Sequence, residues 1–216
     1  MKLIIFDLDG TLLNTIDDLG TACNHALKQT GYPLHSLEEY KHLVGNGINK
    51  LIKRSLPAEA RNEETVMRVR RHFVPYYDEH CCCLTHPYEG MKDLIAELLS
   101  EGYQIAVASN KYDTAAKAIV RHYFPHSQIQ VYGQRENVPL KPDPSVVNEI
   151  INNYGVEKKN VIFVGDSDVD MQTAHNADVC SIGVSWGFRG RKELENAEAD
   201  YVADNTQELK DLIIHA

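Results

Sequence analysis

A four-residue apolar run near the start of the chain, Leu3-Ile4-Ile5-Phe6, ends in two aspartates one residue apart, Asp7 and Asp9, followed by Gly10 and Thr11. A short continuous apolar run bounded by polar and turn residues reads as a strand buried on both faces, as in a parallel sheet covered by helices. In open sheets of that kind ligands bind beyond the carboxyl ends of the strands, which is where Asp7 and Asp9 fall. Strand geometry carried past Phe6 points both carboxylates the same way and Leu8 into the core. Two carboxylates converging on one cleft repel, so they need a cation, a shared proton, or both. Gly10 permits a turn of unusual backbone geometry directly after them.

The rest of the 216 residues falls into two patterns. From residue 14 to about 83 the apolar residues keep helical spacing and no strand is expected. Ile16, Leu19, Cys23, Ala26 and Leu27 mark one helix, closed by Gly31 and Pro33. Leu51, Ile52, Ser55 and Leu56 mark a short one before Pro57, and Val66, Val69, Phe73 and Tyr76 a longer one. An all-helical block after a single buried strand reads as an insertion. The expected division is a cap over 14–83 and a core made of 1–13 plus 84–216. Beyond the block, strands are expected over 104–108, 129–132, 161–164, 181–184 and 201–203. Helices alternate with them; one carries Met91, Leu94, Ile95 and Leu98, another is capped by Asp113, and a third follows Asp143-Pro144. Such alternation gives an α/β fold, a Rossmann-like parallel-sheet core with an inserted all-helical cap domain.

Charge narrows the partners. Lys plus Arg number 22 against 31 Asp plus Glu, a net charge of −9, which argues against broad binding to nucleic acid or an anionic membrane. No apolar stretch approaches the roughly 20 residues of a membrane span, and the N-terminus lacks a signal-peptide pattern. The five cysteines include the adjacent Cys81, Cys82 and Cys83, which is no disulfide framework, so a reducing, cytoplasmic setting is expected. A monomer or weak dimer is expected.

The polar strand ends suit one kind of substrate. Besides Asp7 and Asp9 there are Ser109-Asn110 and Asp166, with Lys141-Pro142-Asp143-Pro144 between them in the chain. Asp170 follows Asp166 by one helical turn and faces the same way. A phosphoryl group spreads charge over its oxygens, and its transfer is catalysed mostly by positioning and neutralisation. Ser109 can donate to a phosphate oxygen, Lys141 can offset charge as a compact cation, and the carboxylates suit Mg²⁺.

Taken together, these motifs closely resemble the haloacid dehalogenase superfamily, whose members are mostly phosphohydrolases. The apolar run with Asp-x-Asp-Gly-Thr, the strand ending in Ser109, Lys141 in Lys-Pro-x-Pro, and Gly165-Asp166 through Asp170 match its four motifs in order over nearly the whole chain. The helical block is similar to the small cap of one branch. Within that branch Val44-Gly45-Asn46-Gly47 and Ser185-Trp186-Gly187-Phe188-Arg189 resemble phosphoglycolate phosphatases. The resemblance implies Asp7 as nucleophile, forming an aspartyl-phosphate. It implies Asp9 as general acid and then base, Ser109 and Lys141 as further catalytic groups, and Asn110 as a holder of phosphoryl oxygens. Mg²⁺ would sit on Asp7, the Asp9 carbonyl and Asp166, with Asp170 holding its water or orienting Lys141. In the cap, Gly45, Asn46 and Gly47 would meet the rest of a small phosphorylated metabolite. A phosphomutase of the β-phosphoglucomutase type and a pyrophosphatase are the alternative activities.

Overall fold

The computed structural model describes residues 2–125 and 127–216. The chain enters through strand β1 (Leu3–Phe6), turns, and forms the two-residue β2 (Leu13–Asn14). Four helices follow: α1 (Ile16–Thr30), α2 (Leu37–Leu43), α3 (Ile48–Ser55) and α4 (Glu63–His80). The two-residue β3 (His86–Pro87) then pairs antiparallel with β2, Leu13 opposite Pro87 and Asn14 opposite His86. The chain leaves for the helical block and returns from it through this small ribbon. Strands of two residues carry no readable alternation, so the sequence gives no sign of them.

The remainder alternates: α5 (Met91–Ser100), β4 (Gln104–Tyr112), α6 (Asp113–Tyr123), β5 (Gln130–Gln134), α7 (Ser145–Tyr154), β6 (Val161–Gly165), α8 (Asp168–Ala177), β7 (Cys180–Val184), α9 (Arg191–Asn196), β8 (Tyr201–Ala203) and α10 (Thr206–His215). The six long strands form one parallel sheet in the order β5-β4-β1-β6-β7-β8, a Rossmann-like core. β1 is central, and its residues alternate between two apolar layers. Ile4 and Phe6 join Val107, Ile162 and Val164 on one face, while Leu3 and Ile5 join Ala106, Ala108 and Phe163 on the other. Burial on both faces is why this strand reads as a continuous apolar run.

Helix ends follow local chemistry. Gly31, in the left-handed region at φ 78°, closes α1. Ser36 and Glu39 form a reciprocal capping box on α2, and the Asn62 side chain accepts from Thr65 N at the start of α4. None of the described helices is long and apolar enough to cross a membrane.

Three sequence expectations shift. β4 runs on through Ser109, Asn110 and Lys111 to Tyr112, with a register irregularity between Ala108 and Tyr112 against β5; polar residues inside a strand hid its second half. Asp113 is the first residue of α6 rather than its cap, and its carboxylate accepts from Gly133 N of β5. On α4 the buried stripe is Val66, Val69, Phe73 and Tyr77, so the inward aromatic is Tyr77; Tyr76 stacks between His25 and His80.

Candidate active site

The carboxyl ends of β1, β4 and β6 meet beneath the helical block. The loop after β1 is held by Asp7 N donating to Val164 O and by Gly10 N donating to Leu13 O. Asp166 follows β6. Gly10 is at φ 93°, and a Cβ there would lie 2.3 Å from Asp166 Oδ2, while one on Gly187 would lie 2.2 Å from Asp166 Cβ. Only glycines let the backbone close on Asp166 from both sides. Phe188 N donates to Asp166 Oδ2 at 2.7 Å.

Asp7, Asp166 and Asp170 each offer an oxygen within 4.8 Å of the others, and all three are buried. Lys141 lies among them, donating to Asp7 Oδ1 and to Asp170 Oδ1 at 2.7 Å each. The other Asp170 oxygen accepts from Ser167 N and Oγ. Burial pushes the Asp7 carboxyl up to about 7, against the pull of the Lys141 ammonium and with the push of Asp170 and Asp9. Burial, then the Asp170 and Asp7 charges, hold Asp166 well above the usual carboxylate range. Burial pulls Lys141 down, but the Asp170 and Asp7 carboxylates outweigh it and keep the ammonium charged. Asp7 and Asp170 thus pair with the Lys141 ammonium, and Asp166 crowds against them.

Ser109 is buried at the cleft, and its Oγ accepts from Lys111 N at 3.2 Å. Asn110 lines the cleft, and its side-chain amide is hydrogen-bonded to protein. Its Oδ1 accepts from Lys141 N, and its Nδ2 donates to Lys141 O and to Gly45 O. The amide therefore pins the Lys141 peptide in both directions and ties it to the helical block. Gly45 and Gly47 line the cleft, and Asn46 is not among the lining residues. The Asn46 Oδ1 accepts from Arg54 at 2.6 Å, which fixes the loop from its outer side. Gly47, at φ 80°, brings the loop so close that a Cβ there would lie 3.2 Å from Asn110 O. Arg189 donates to Val44 O at 2.9 Å. Gly45 and Val44 are thus both latched to the sheet side, and the helical block is shut over the strand ends.

Lys111 and Tyr77, which both line the cleft, were not read from the sequence as site residues. Lys111 donates to both Asp9 oxygens, at 2.8 and 2.9 Å, and Thr15 Oγ1 donates to Asp9 Oδ1 at 2.7 Å. Tyr77 lies under the Lys111 ammonium, 4.8 Å from nitrogen to ring centroid. A signal for Lys111 was present: Ser109 and Lys111 are two apart, as Asp7 and Asp9 are, and residues two apart in a strand share a face.

Strand-end carboxylates with buried lysines as their counter-ions, beneath the helical block, define a charged site at the carboxyl end of a parallel sheet. Comparison with known proteins identifies the family that carries it. The sequence profile described as haloacid dehalogenase-like hydrolase matches residues 4–184. The phosphoglycolate phosphatase of Vibrio cholerae is 31% identical, over 99% of this chain and 97% of that protein. A crystal structure from Lactobacillus delbrueckii subsp. bulgaricus, provisionally assigned as a phosphoglycolate phosphatase, superposes with a TM-score of 0.92 at 32% identity, covering 99% of both chains. CbbY of Rhodobacter sphaeroides, solved in complex with phosphate, superposes with a TM-score of 0.80 at 25% identity, covering 97% of this chain and 96% of its own. The chain belongs to the haloacid dehalogenase-like hydrolases, and within them it is a phosphatase.

Proposed function

We propose that the chain is a Mg²⁺-dependent phosphatase of small phosphorylated metabolites, phosphoglycolate first among them, acting through an aspartyl-phosphate on Asp7. The observation that carries this reading is the convergence of Asp7, Asp166 and Asp170 within 4.8 Å, with Lys141 paired to two of them. The likeness to the V. cholerae phosphoglycolate phosphatase and to the phosphate complex of CbbY supports it. The working division is a core of 1–13 plus 84–216 and a cap of 14–83; the ribbon of β2 and β3, where the chain leaves and returns, supports that boundary.

The donor set fits a magnesium ion. Carboxylate oxygens are hard ligands of the kind Mg²⁺ takes. Among the described residues, Asp7 Oδ2 and Asp166 Oδ1 accept no hydrogen bond. Asp7, Asp166 and the Asp9 carbonyl would hold the ion, with Asp170 beside them. Bound there, it would neutralise phosphoryl charge and favour the ionised form of the nucleophile.

Asp7 attacks phosphorus, and the ester oxygen leaves with a proton from Asp9. Asp9 then takes a proton from the water that opens the aspartyl-phosphate, releasing inorganic phosphate and restoring Asp7. Lys141 neutralises charge beside Asp7, and Asp170 keeps it in place. Ser109 donates to a phosphoryl oxygen. Asn110 acts as a strut, holding the Lys141 peptide and latching the closed cap through Gly45. Closure keeps bulk water from the phosphoenzyme.

A phosphate-release screen over small phosphoesters, with Mg²⁺ and with excess EDTA, tests the reading. The expected result is turnover of phosphoglycolate above sugar phosphates and pyrophosphate, lost in EDTA and restored by added Mg²⁺. Full activity in EDTA would remove the metal from the mechanism. Pyrophosphate as the best substrate, or net transfer to a second sugar position, would replace the proposed activity.

The raised carboxyls give an independent check. Without a cation, folded Asp7 keeps its proton up to about pH 7, whereas aspartates in the unfolded chain titrate near 4. Between those values the folded state binds more protons than the unfolded one, so these groups cost stability as pH rises through that window. Mg²⁺ binds the ionised form and removes the cost. The rise in melting temperature on adding Mg²⁺ is therefore expected to be small near pH 5.5 and larger near pH 7.5. An increment that is flat or shrinks with pH would contradict the assignment of these carboxylates as ligands.

A further inference from the structure

Lys111 is a buried charge in the cleft that the proposed mechanism does not use. The Lys111 side chain is 3% exposed, paired to both oxygens of Asp9 and seated on the face of Tyr77. A buried ammonium is costly unless it is paired, and the ring face adds attraction for the cation. An ammonium has three donors. Asp9 takes two, which leaves one for a ligand. Lys111 and Tyr77 both line the cleft, and the Tyr77 hydroxyl, in a fully buried residue, has no partner among the described residues. Burial, then the Asp9 carboxylate, push that phenol well above its ordinary range, so it remains a donor.

The other cations of the cleft are committed elsewhere. Lys141 is held by Asp7 and Asp170, and Arg189 by Val44 O and, at 3.6 Å, Glu193. Lys111 is also on the leaving-group side. Asp9, as the acid, must come within hydrogen-bond reach of the ester oxygen, and Lys111 Nζ is 2.8 Å from the nearer Asp9 oxygen. In phosphoglycolate the carboxylate carbon is two bonds from that ester oxygen. A sugar phosphate or a simple alkyl phosphate puts uncharged atoms in the same place.

We propose that Lys111, held on the face of Tyr77, recognises a carboxylate borne next to the scissile ester oxygen, and so makes the enzyme selective for small phosphorylated acids over neutral phosphoesters of the same size. The proposal rests on the phosphatase reading above and names the group through which the substrate class is chosen. The fixed phosphoryl machinery cannot make that choice, since every phosphoester presents the same phosphoryl group.

The test compares phosphoglycolate with ethyl phosphate, the same skeleton with a methyl in place of the carboxylate. The quantity read is the ratio of kcat/KM for the two substrates in one preparation, which cancels any loss of active fraction. Wild type is expected to favour phosphoglycolate strongly. Lys111→Met is expected to lower the ratio by about 30-fold or more, the usual scale for removing one partner of a buried charge pair. Lys111→Arg should keep part of the preference, and the loss in the Met variant should fall mainly on KM for phosphoglycolate. Lys111→Gln carries the same reading where the Met variant does not accumulate. An unchanged ratio in the Met or Gln variant would overturn the proposal while leaving the phosphatase standing. A wild type with no preference between the two substrates would overturn the substrate class itself.

Discussion

Asp7→Asn is expected to leave a folded protein with turnover reduced by at least about 10⁴-fold, the scale seen when a covalent nucleophile is removed. The amide has nearly the shape of the carboxylate but no charge with which to attack phosphorus. The fold should tolerate it, because Asp7 is a charge crowded by others. Burial and its carboxylate neighbours already push it up to about 7. Lys141, which loses one partner, keeps Asp170 at 2.7 Å. Removing one carboxylate from three that lie within 4.8 Å also relieves repulsion in the metal-free protein. Melting in EDTA near pH 7.5 should therefore be unchanged or slightly raised, while Mg²⁺ stabilises the variant less than wild type. Steady-state rates on an aryl phosphate, with melting curves from the same preparation, check both halves. Activity within tenfold of wild type would take the nucleophile's role from Asp7.

The residues at the floor of the site were legible because each closes an element with a clear period. Asp7 and Asp9 end a run buried on both faces, Asp166 ends another, and Asp170 lies one turn on. Lys141 is different: it sits in a loop, and only its place in the Lys-Pro-x-Pro motif marked it. What the sequence hid depends on tertiary contact. Lys111 sits in the half of β4 whose polar residues concealed the strand, and its partner Asp9 is 102 positions away. The latches from Asn110 to Gly45 and from Arg189 to Val44 join residues 65 and 145 apart in the chain. No local pattern encodes them. Asn110 and Asn46 have protein partners that no local pattern shows. In the fold the Asn110 amide bonds to the Lys141 peptide and Gly45, and the Asn46 oxygen to Arg54. Tyr77 was missed by one residue, since a helical stripe read through Val66, Val69 and Phe73 continues as well to 76 as to 77.

Asp9→Asn separates the two halves of the reaction. The nucleophile and Lys141 remain, so an aryl phosphate, whose leaving group needs little protonation, should still phosphorylate Asp7. The second half needs a base for the attacking water, and the amide cannot serve. Loss of a general base costs about 10² to 10⁴ in rate, so the phosphoenzyme should accumulate. A rapid-mixing experiment should show a burst of aryl alcohol approaching one per active site, followed by a slow phase, with a phosphoadduct on the intact protein by mass spectrometry. The substitution should also weaken the fold, unlike that at Asp7. Lys111, 3% exposed, would lose the carboxylate that pairs it, while Asp9 itself is 13% exposed. Breaking a buried pair by removing one partner costs about 3 kcal/mol or more, partly offset here by the amide oxygen, by Thr15 and by the face of Tyr77. A lower melting temperature alone would not show the chemical role, because a purely structural ion pair predicts it too. The burst is what distinguishes them: a variant that is merely destabilised loses both half-reactions together, and one lacking its base loses the second. Slow turnover with neither burst nor adduct would return Asp9 to the status of a structural partner for Lys111.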